Sequence, residues 1–497
     1  MKKETKRLIG IISSLLMYFL YVILLMIRTK ALINNYGSEV NAVFQTSNQI
    51  FAYLILFESG MSAAYQFKLY GPVNEKDIKR ISSLFIGLEK SMKKIAFKMM
   101  IALLIVSAFY PFIMDRITIS FAKAGLMLFL LGMRSVIPYY VSLAFKTLLN
   151  VYDYKYVVDN IDSLGYIVIT VVEIFIAVGL HWSVYSVLLA GCVGNIIIGV
   201  IYAFFVKRYC GIMREETFTP DFEPERMTKD ILLHHITGLF NSNIDAIILS
   251  ITNIMLVTPY HAYYSTMNYF PQVINKISEN YRTMIGMKIK KNAPDLYEYF
   301  QTRMAFHMIA AIMAISIFVL NINSFIILWI GKEYMLSNCC VFLLALYVMN
   351  KMIINNIFLV RDGAGLYKES KWFSAVEGIV NLVLSIILVR YWGIEGILFA
   401  TVFAIFTMLV PGNARLVYNK VMGRRNTLWL DYLIIVATAG IFVTGLSRGM
   451  GRVEDISWNT LIIRLIIQTI LCGAGAVLVV VGVKWKYISH IFLKSKG

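Results

Sequence analysis

The stretch YSTMNYFPQVINKISENYR, from Tyr264 to Arg282, decides how this chain is read. It is apolar and long enough to cross a bilayer, yet it carries Tyr264, Asn268, Gln272, Asn275, Glu279 and Arg282 at steps of four, four, three, four and three. Those steps follow the helical repeat, so the polar groups fall on one face of one helix. Hydrocarbon penalises each of them unless it meets a protein partner or trapped water. A whole stripe of such groups predicts a wet cavity inside a helix bundle, and that cavity is where function is sought.

The composition around this stretch points to the same medium. Of 497 residues, 59% are hydrophobic and only 15% charged, and the mean hydropathy is +0.69, far from the range of soluble globular proteins. Apolar runs long enough to span hydrocarbon as helix recur with short breaks, and alternating barrel strands are absent. The expectation is an all-α, polytopic integral membrane protein of about 14 transmembrane helices. Among them are a second span over Val43 to Phe67, an eighth over Tyr260 to Met287 and two C-terminal spans, Trp429 to Leu446 and Thr460 to Val483.

The 47 Lys and Arg against 29 Asp and Glu give a formal charge of +18. In a soluble protein that excess would suggest nucleic acid, but here the basic residues gather in alternate loops and no base-stacking motif accompanies them. Lys2 to Arg7, Lys68 to Lys94, Lys207 to Lys229, Lys288 to Lys291, Arg361 to Lys371, Lys420 to Arg425 and the tail Lys484 to Lys496 all belong to one face. The positive-inside rule makes that face cytoplasmic and, with an even number of spans, places both termini there. Cytoplasmic bases also lie against anionic lipid and could attract a phosphate-bearing lipid substrate.

The five cysteines show no metal-ligand spacing and read as packing residues. The basic start, Met1 to Arg7, precedes a long apolar run without a small-residue cleavage site, so it reads as a retained first span. There is no His-rich metal motif, no Gly-x-Ser-x-Gly and no P-loop. No catalytic set, metal or cofactor is expected, and the chain is read as a non-enzyme that draws on a gradient or equilibrates its substrate.

Lys207 to Asp230, with Pro220 and Pro224, is the longest non-apolar stretch and divides the chain into similar halves. The expected domains are a six-helix lobe over 1–207, a cytoplasmic linker over 208–230, a second six-helix lobe over 231–420, and two additional helices with a cytoplasmic tail over 421–497. Sliding the halves by about 221 positions brings Glu58 onto Glu279, and farther on, at an offset nearer 213, Tyr154 and Lys155 meet Tyr367 and Lys368. Six spans return the chain to its starting side, so the repeat is parallel, and membrane repeats place substrate between their halves.

Four helices carry polar stripes, the same two in each half. The first holds Ser14, Tyr21 and Arg28; the second Asn41, Gln45, Asn48, Ser59, Ser62 and Gln66, with Glu58 adjacent; the seventh His234, Thr237, Asn241, Asp245 and Thr252; the eighth is the stripe quoted first. Each amide or hydroxyl alone reads as interhelical hydrogen bonding, whereas the four stripes together read as a hydrated cavity. Tyr21, Gln45, Asn48, Asn241, Tyr264, Asn268 and Asn275 are the groups suited to a sugar. Arg28, Arg134 and Arg282 are the phosphate candidates, since guanidinium makes forked bonds to phosphate. Arg134 has no acid near it in sequence, while Arg282 could equally pair with Glu279. Glu58, Glu173, Asp245, Glu279 and Glu377 are candidates for coupling to a proton or cation.

The segment YGSEVNAVFQTSNQIFAYLILFESGMSAAYQFKLYG, Tyr36 to Gly71, together with ILWIGKEY, Ile327 to Tyr334, resembles the Wzx-like polysaccharide flippases of the multidrug/oligosaccharidyl-lipid/polysaccharide (MOP) superfamily. The first looks like the family's tyrosine-glycine turn followed by its second helix, the second like the exit from its ninth. The resemblance implies a MATE-like fold of two pseudo-symmetric six-helix lobes in a V around a cationic cavity, plus the two C-terminal helices. It also implies a substrate: an undecaprenyl-diphosphate-linked oligosaccharide turned from the cytoplasmic to the outer leaflet of the bacterial inner membrane for capsule, O-antigen or exopolysaccharide assembly. Expected partners are that lipid-linked oligosaccharide and membrane lipids, with polysaccharide polymerase and chain-length machinery as further candidates and no nucleic acid. A cation-coupled multidrug exporter and a peptidoglycan lipid precursor flippase are the alternatives. Of the basic groups near the cavity only Arg28 sits in the first helix, so the arginine cluster expected of the latter is not carried over.

Overall fold

Glycine and proline punctuate long apolar helices throughout the chain. The computed structural model describes residues 3–54, 58, 60–210, 219–227, 244–279, 281–449 and 457–493. No strand occurs among the described residues, and the fold is all α. Eleven helical stretches among the described residues are long and apolar enough to cross a membrane. The chain is a multi-pass membrane protein.

Two compact units follow each other, Met1–Thr258 and Pro259–Gly497. The first contains α1 (Lys3–Tyr36), α2 (Ser38–Ala52), α3 (Met61–Glu75), α4 (Ile78–Phe109), α5 (Phe121–Val141), α6 (Leu143–Val151), α7 (Lys155–Ile174), α8 (Val184–Cys210) and α9 (residues 244–253). Most of the second is α10 (Val257–Glu279), α11 (Arg282–Lys290), α12 (Leu296–Trp329), α13 (Asn338–Gly363), α14 (Tyr367–Trp392), α15 (Ile394–Ala404), α16 (Val410–Arg415), α17 (Leu428–Gly449) and α18 (Trp458–Leu493). Local chemistry sets these boundaries. Gly37, at φ 90°, turns α1 into α2 in a conformation that a side chain would disfavour. Asp77 accepts from the Arg80 amide at 3.1 Å to start α4, and Ser337 accepts from the Cys340 amide at 3.2 Å to start α13.

The second expected span is not one helix. The helical chain from Ser38 gives way around Tyr53, and Glu58 then caps the restart: its carboxylate accepts from the Ser62 amide at 2.7 Å and Gly60 takes φ 76°. The eighth expected span is likewise cut, between α10 and α11. The sequence offset of about 221 that aligned the halves therefore aligns one helix break with the other, Met61 with Arg282.

Apolar side chains cover the outer faces, with Phe97, Ile101 and Leu104 exposed on α4 and Ile470 and Leu478 on α18. Without water outside, an apolar exterior needs no partner. Within the second unit most of α13 is buried, whereas most of α14 and α18 faces outward.

The last two helices are tied into the second unit by polar locks. Lys484 Nζ reaches Asp431 Oδ1 at 2.6 Å and Gln301 Oε1 at 2.7 Å, joining α18, α17 and α12. Asn321 of α12 donates to Gln468 of α18 at 2.5 Å, and Thr302 donates to the Tyr487 carbonyl at 2.7 Å.

Residues 219–227, inside the expected linker, are docked on the first unit. Ser83 donates to the Thr219 carbonyl at 2.5 Å and accepts through its own carbonyl from the Asp221 amide at 3.1 Å. Tyr65 donates to the Asp221 carbonyl at 3.0 Å, Lys68 pairs with Glu223 at 2.7 Å, and Ser91 donates to Glu225 at 2.5 Å.

Candidate functional site

In the first unit, three helices bring charge together within the membrane-spanning region. Glu173 of α7 is fully buried, and its two oxygens face two arginines: Arg28 Nη1 of α1 at 3.1 Å and Arg134 Nη1 of α5 at 2.7 Å. Sequence distance hid this partner of Arg134, since Glu173 arrives from another helix. The room for the cluster comes from Gly191 of α8, where a Cβ would lie 2.6 Å from Arg134 Cζ and 2.8 Å from Glu173 Oε1. Arg28 also stacks over the Phe44 ring at 4.8 Å. Two guanidiniums share one carboxylate, so the cluster keeps an excess of positive charge. Tyr21, a turn and more before Arg28 on α1, packs against Tyr166 with ring centroids 6.3 Å apart.

The stripe on α2 is divided in use. Gln45 donates to Asn41, which donates to Thr258 at 3.2 Å, and Thr258 donates to the Ser38 carbonyl at 2.8 Å. Asn41 and Gln45 are buried and serve helix packing, whereas Asn48, one turn on, is exposed. Glu39 at the start of α2 went unremarked in the sequence. Its carboxylate accepts from the Thr118 hydroxyl and from the amides of Thr118 at 2.5 Å and Ile119 at 2.9 Å, fixing the loop before α5.

In the second unit, the quoted stripe becomes a ladder. α10 runs unbroken from Val257 to Glu279 through Pro271, so Tyr264, Asn268, Gln272 and Asn275 share one face. Its upper part meets α13. Tyr264 and Tyr347 hydroxyls lie 3.2 Å apart, and Lys351 Nζ donates to Asn268 Oδ1 at 3.1 Å and to the Tyr264 hydroxyl at 3.4 Å. The Lys351 ammonium also sits 4.7 Å from the Tyr347 ring centroid. Lower down, Ser278 meets His307 Nε2 at 3.1 Å while His307 Nδ1 bonds the Met352 carbonyl at 2.6 Å. Arg303 donates to Asn356 at 3.3 Å, lies 4.6 Å over the Tyr281 ring, and leaves Nη1 buried without a hydrogen-bond partner, as is Oδ1 of Asn275. Neither Lys351 nor Arg303 has an acidic partner among the described residues. The second unit thus brings Lys351 of α13 to the tyrosines and amides of the α10 stripe, with Arg303 of α12 farther down against Asn356 and Tyr281, the chemistry of an anion carrying hydroxyl groups.

Lys351 was legible but overlooked: a lone lysine near the middle of a long apolar run is a signal in itself. Lys484 reads in the sequence as the start of the basic tail and Asp431 as a helix-end acid, yet the structure buries both and pairs them at 2.6 Å. The other candidates are placed apart. Asp245 lies on α9, Glu377 is buried on α14, and Glu58 caps α3. Asn241, with His234, His235 and Thr237, lies outside the described residues, as do the side chains of Ser14, Glu279 and Arg282.

No protein-family profile matches the chain, and no curated protein matches it. Solved structures do. The chain is similar to a lipid II flippase MurJ in an inward closed conformation, with a TM-score of 0.70 at 15% identity over 93% of this chain and 98% of that one. It is also similar to a multidrug resistance MATE family transporter of the MOP superfamily in an inward-facing conformation, with a TM-score of 0.53 at 10% identity over 79% and 94% of the two chains. At such identities the likeness establishes the fold, which is the one shared by these flippases and transporters.

Proposed function

We propose that the protein is a flippase that carries undecaprenyl-diphosphate-linked oligosaccharide repeat units from the cytoplasmic to the outer leaflet of a bacterial inner membrane, for capsule, O-antigen or exopolysaccharide assembly. The observation that supports this most is Lys351, a cation inside a membrane helix held by Asn268, Tyr264 and Tyr347 in place of an acid. A charge at such depth is costly, and one without a countercharge among the described residues is suited to receive an anion. Arg28 and Arg134 around the single Glu173 add to the same excess. A cation-coupled multidrug exporter would instead call for an acidic, more apolar cavity.

The division of labour follows from the chemistry of the substrate. In the second unit its diphosphate is met by Lys351 and its sugars by Tyr264, Asn268 and the other amides of the stripe; in the first unit Arg28 and Arg134 offer a phosphate a cationic cluster of their own, and the polyprenyl tail stays in lipid. Transport then needs only that the site open to one leaflet and afterwards to the other. Membrane lipids, a polymerase and chain-length machinery are the partners this role entails. A second reading, the lipid precursor of peptidoglycan, is favoured by the likeness to the lipid II flippase structure. Both substrates are polyprenyl diphosphates.

The test is leaflet transfer of a labelled undecaprenyl-diphosphate sugar in proteoliposomes. Lys351→Gln, Arg28→Gln and Arg134→Gln are each expected to slow transfer about ten- to hundredfold, the effect of losing one hydrogen bond to a charged group. Undiminished transfer in all three would reject the assignment of phosphate ligands. Deletion in cells should cause lipid-linked oligosaccharide to accumulate; drug sensitivity without accumulation would favour the exporter, and arrest of peptidoglycan synthesis would favour the second reading.

A further inference from the structure

At one end of the second unit, three helix junctions enclose a pocket of about 440 Å³ apart from the ladder. The turn from α11 into α12 supplies Tyr297 and Leu296, the turn from α13 into α14 supplies Leu366, and the chain leading from α16 toward α17 supplies Val421, Lys420 and Arg424. The backbone is shaped for this: Gly365 at φ 70° and Gly423 at φ 58° make the two turns, and the Arg424 amide bonds back to the Tyr418 carbonyl at 3.0 Å.

The two cations of the pocket are poorly matched by acids. Arg424 rests on the Tyr297 ring at 5.6 Å and has no acidic partner among the described residues. Lys420 has only Glu369, at 3.6 Å, with both groups more than two-fifths exposed, a pair that contributes little. Beside these charges the lining holds the apolar side chains Leu296, Leu366 and Val421 together with the polar Asn292. Two cations next to apolar side chains, at the ends of membrane-spanning helices, match a molecule with a phosphate and an attached hydrocarbon portion held at the membrane boundary.

We propose that this pocket binds the phosphodiester headgroup of an anionic phospholipid, with Lys420 and Arg424 on the phosphate and Leu296, Leu366 and Val421 against the first carbons of the acyl chains. Such a site is separate from the path of the transported molecule and would tie the second unit to the lipid composition of its leaflet.

The experiment is native mass spectrometry of the full chain in detergent, titrated with phosphatidylglycerol, with phosphatidylcholine, and with phosphatidylglycerol in the presence of inorganic phosphate. Each basic group at a membrane surface is worth about fivefold in affinity, so Lys420→Gln/Arg424→Gln should weaken phosphatidylglycerol binding about twenty-five-fold. The charge-keeping Lys420→Arg/Arg424→Lys should retain it, and both variants should unfold at the temperature of the native chain. Equal retention of phosphatidylglycerol by the charge-removing variant overturns the proposal. So does equal retention of phosphatidylcholine by the native chain, or displacement of the lipid by equimolar inorganic phosphate, which would make this a site for a free anion.

Discussion

Glu173 carries more structural consequence than any other carboxylate in the first unit. It neutralises one of two guanidiniums at once, and with its charge removed both remain in a low-dielectric setting. Glu173→Gln is expected to destabilise the fold by about 3–5 kcal/mol, read as a lowered unfolding temperature of the purified protein. Gly191→Ala probes the same cluster without touching charge, since the added methyl meets Arg134 and Glu173. Its expected cost is about 1–3 kcal/mol, and unfolding at the native temperature would show that the cluster yields easily. At this scale the sequence disclosed which residues are chemically expensive in a membrane, Arg28, Arg134 and Glu173 among them. It did not disclose their pairing, because the three stand on helices that only packing brings together.

Among the elements, α18 and the docked segment 219–227 are each held by a few identifiable bonds. Lys484→Met leaves Asp431 buried and alone, a change expected to cost about 3–5 kcal/mol, whereas Lys484→Met/Asp431→Leu should come close to native stability. Thermal unfolding of the three proteins decides between this lock and a merely passive pair. For 219–227, Gly87 of α4 is the position to change, because a Cβ there would overlap the Asp221 carbonyl oxygen. Gly87→Val should raise hydrogen exchange at the Asp221 amide about tenfold or more while leaving α8 protected. The prolines and charges of this stretch read as a linker in the sequence. That part of it lies bonded to α3 and α4 was not, since Ser83, Tyr65 and Ser91 look like ordinary polar helix residues until their partners are known.

For the whole molecule, the charge pattern makes a prediction independent of any site. Loops of one face hold most of the basic residues, so a reporter fused after Lys420 and one fused at the tail should both read as cytoplasmic, and one placed in the loop after Trp329 as external. Opposite reporter signals would reverse the proposed direction of transport. The recurrence of a helix break at matching places in the two sequence halves, at Met61 and at Arg282, is consistent with the duplication inferred from sequence alignment of the halves.

The medium, the helical class, the approximate limits of most spans, and the presence of polar stripes were legible in the sequence alone, because hydropathy and a 3.6-residue period are local properties that survive without knowledge of the fold. Which polar groups of the stripes meet each other was decided only by tertiary structure. Asn41 and Gln45 became packing contacts, Asn268 and Tyr264 came to hold Lys351, and Arg134 found Glu173, all through encounters between residues far apart in the chain. A buried charge advertises its cost in one dimension, but its partner exists only in three.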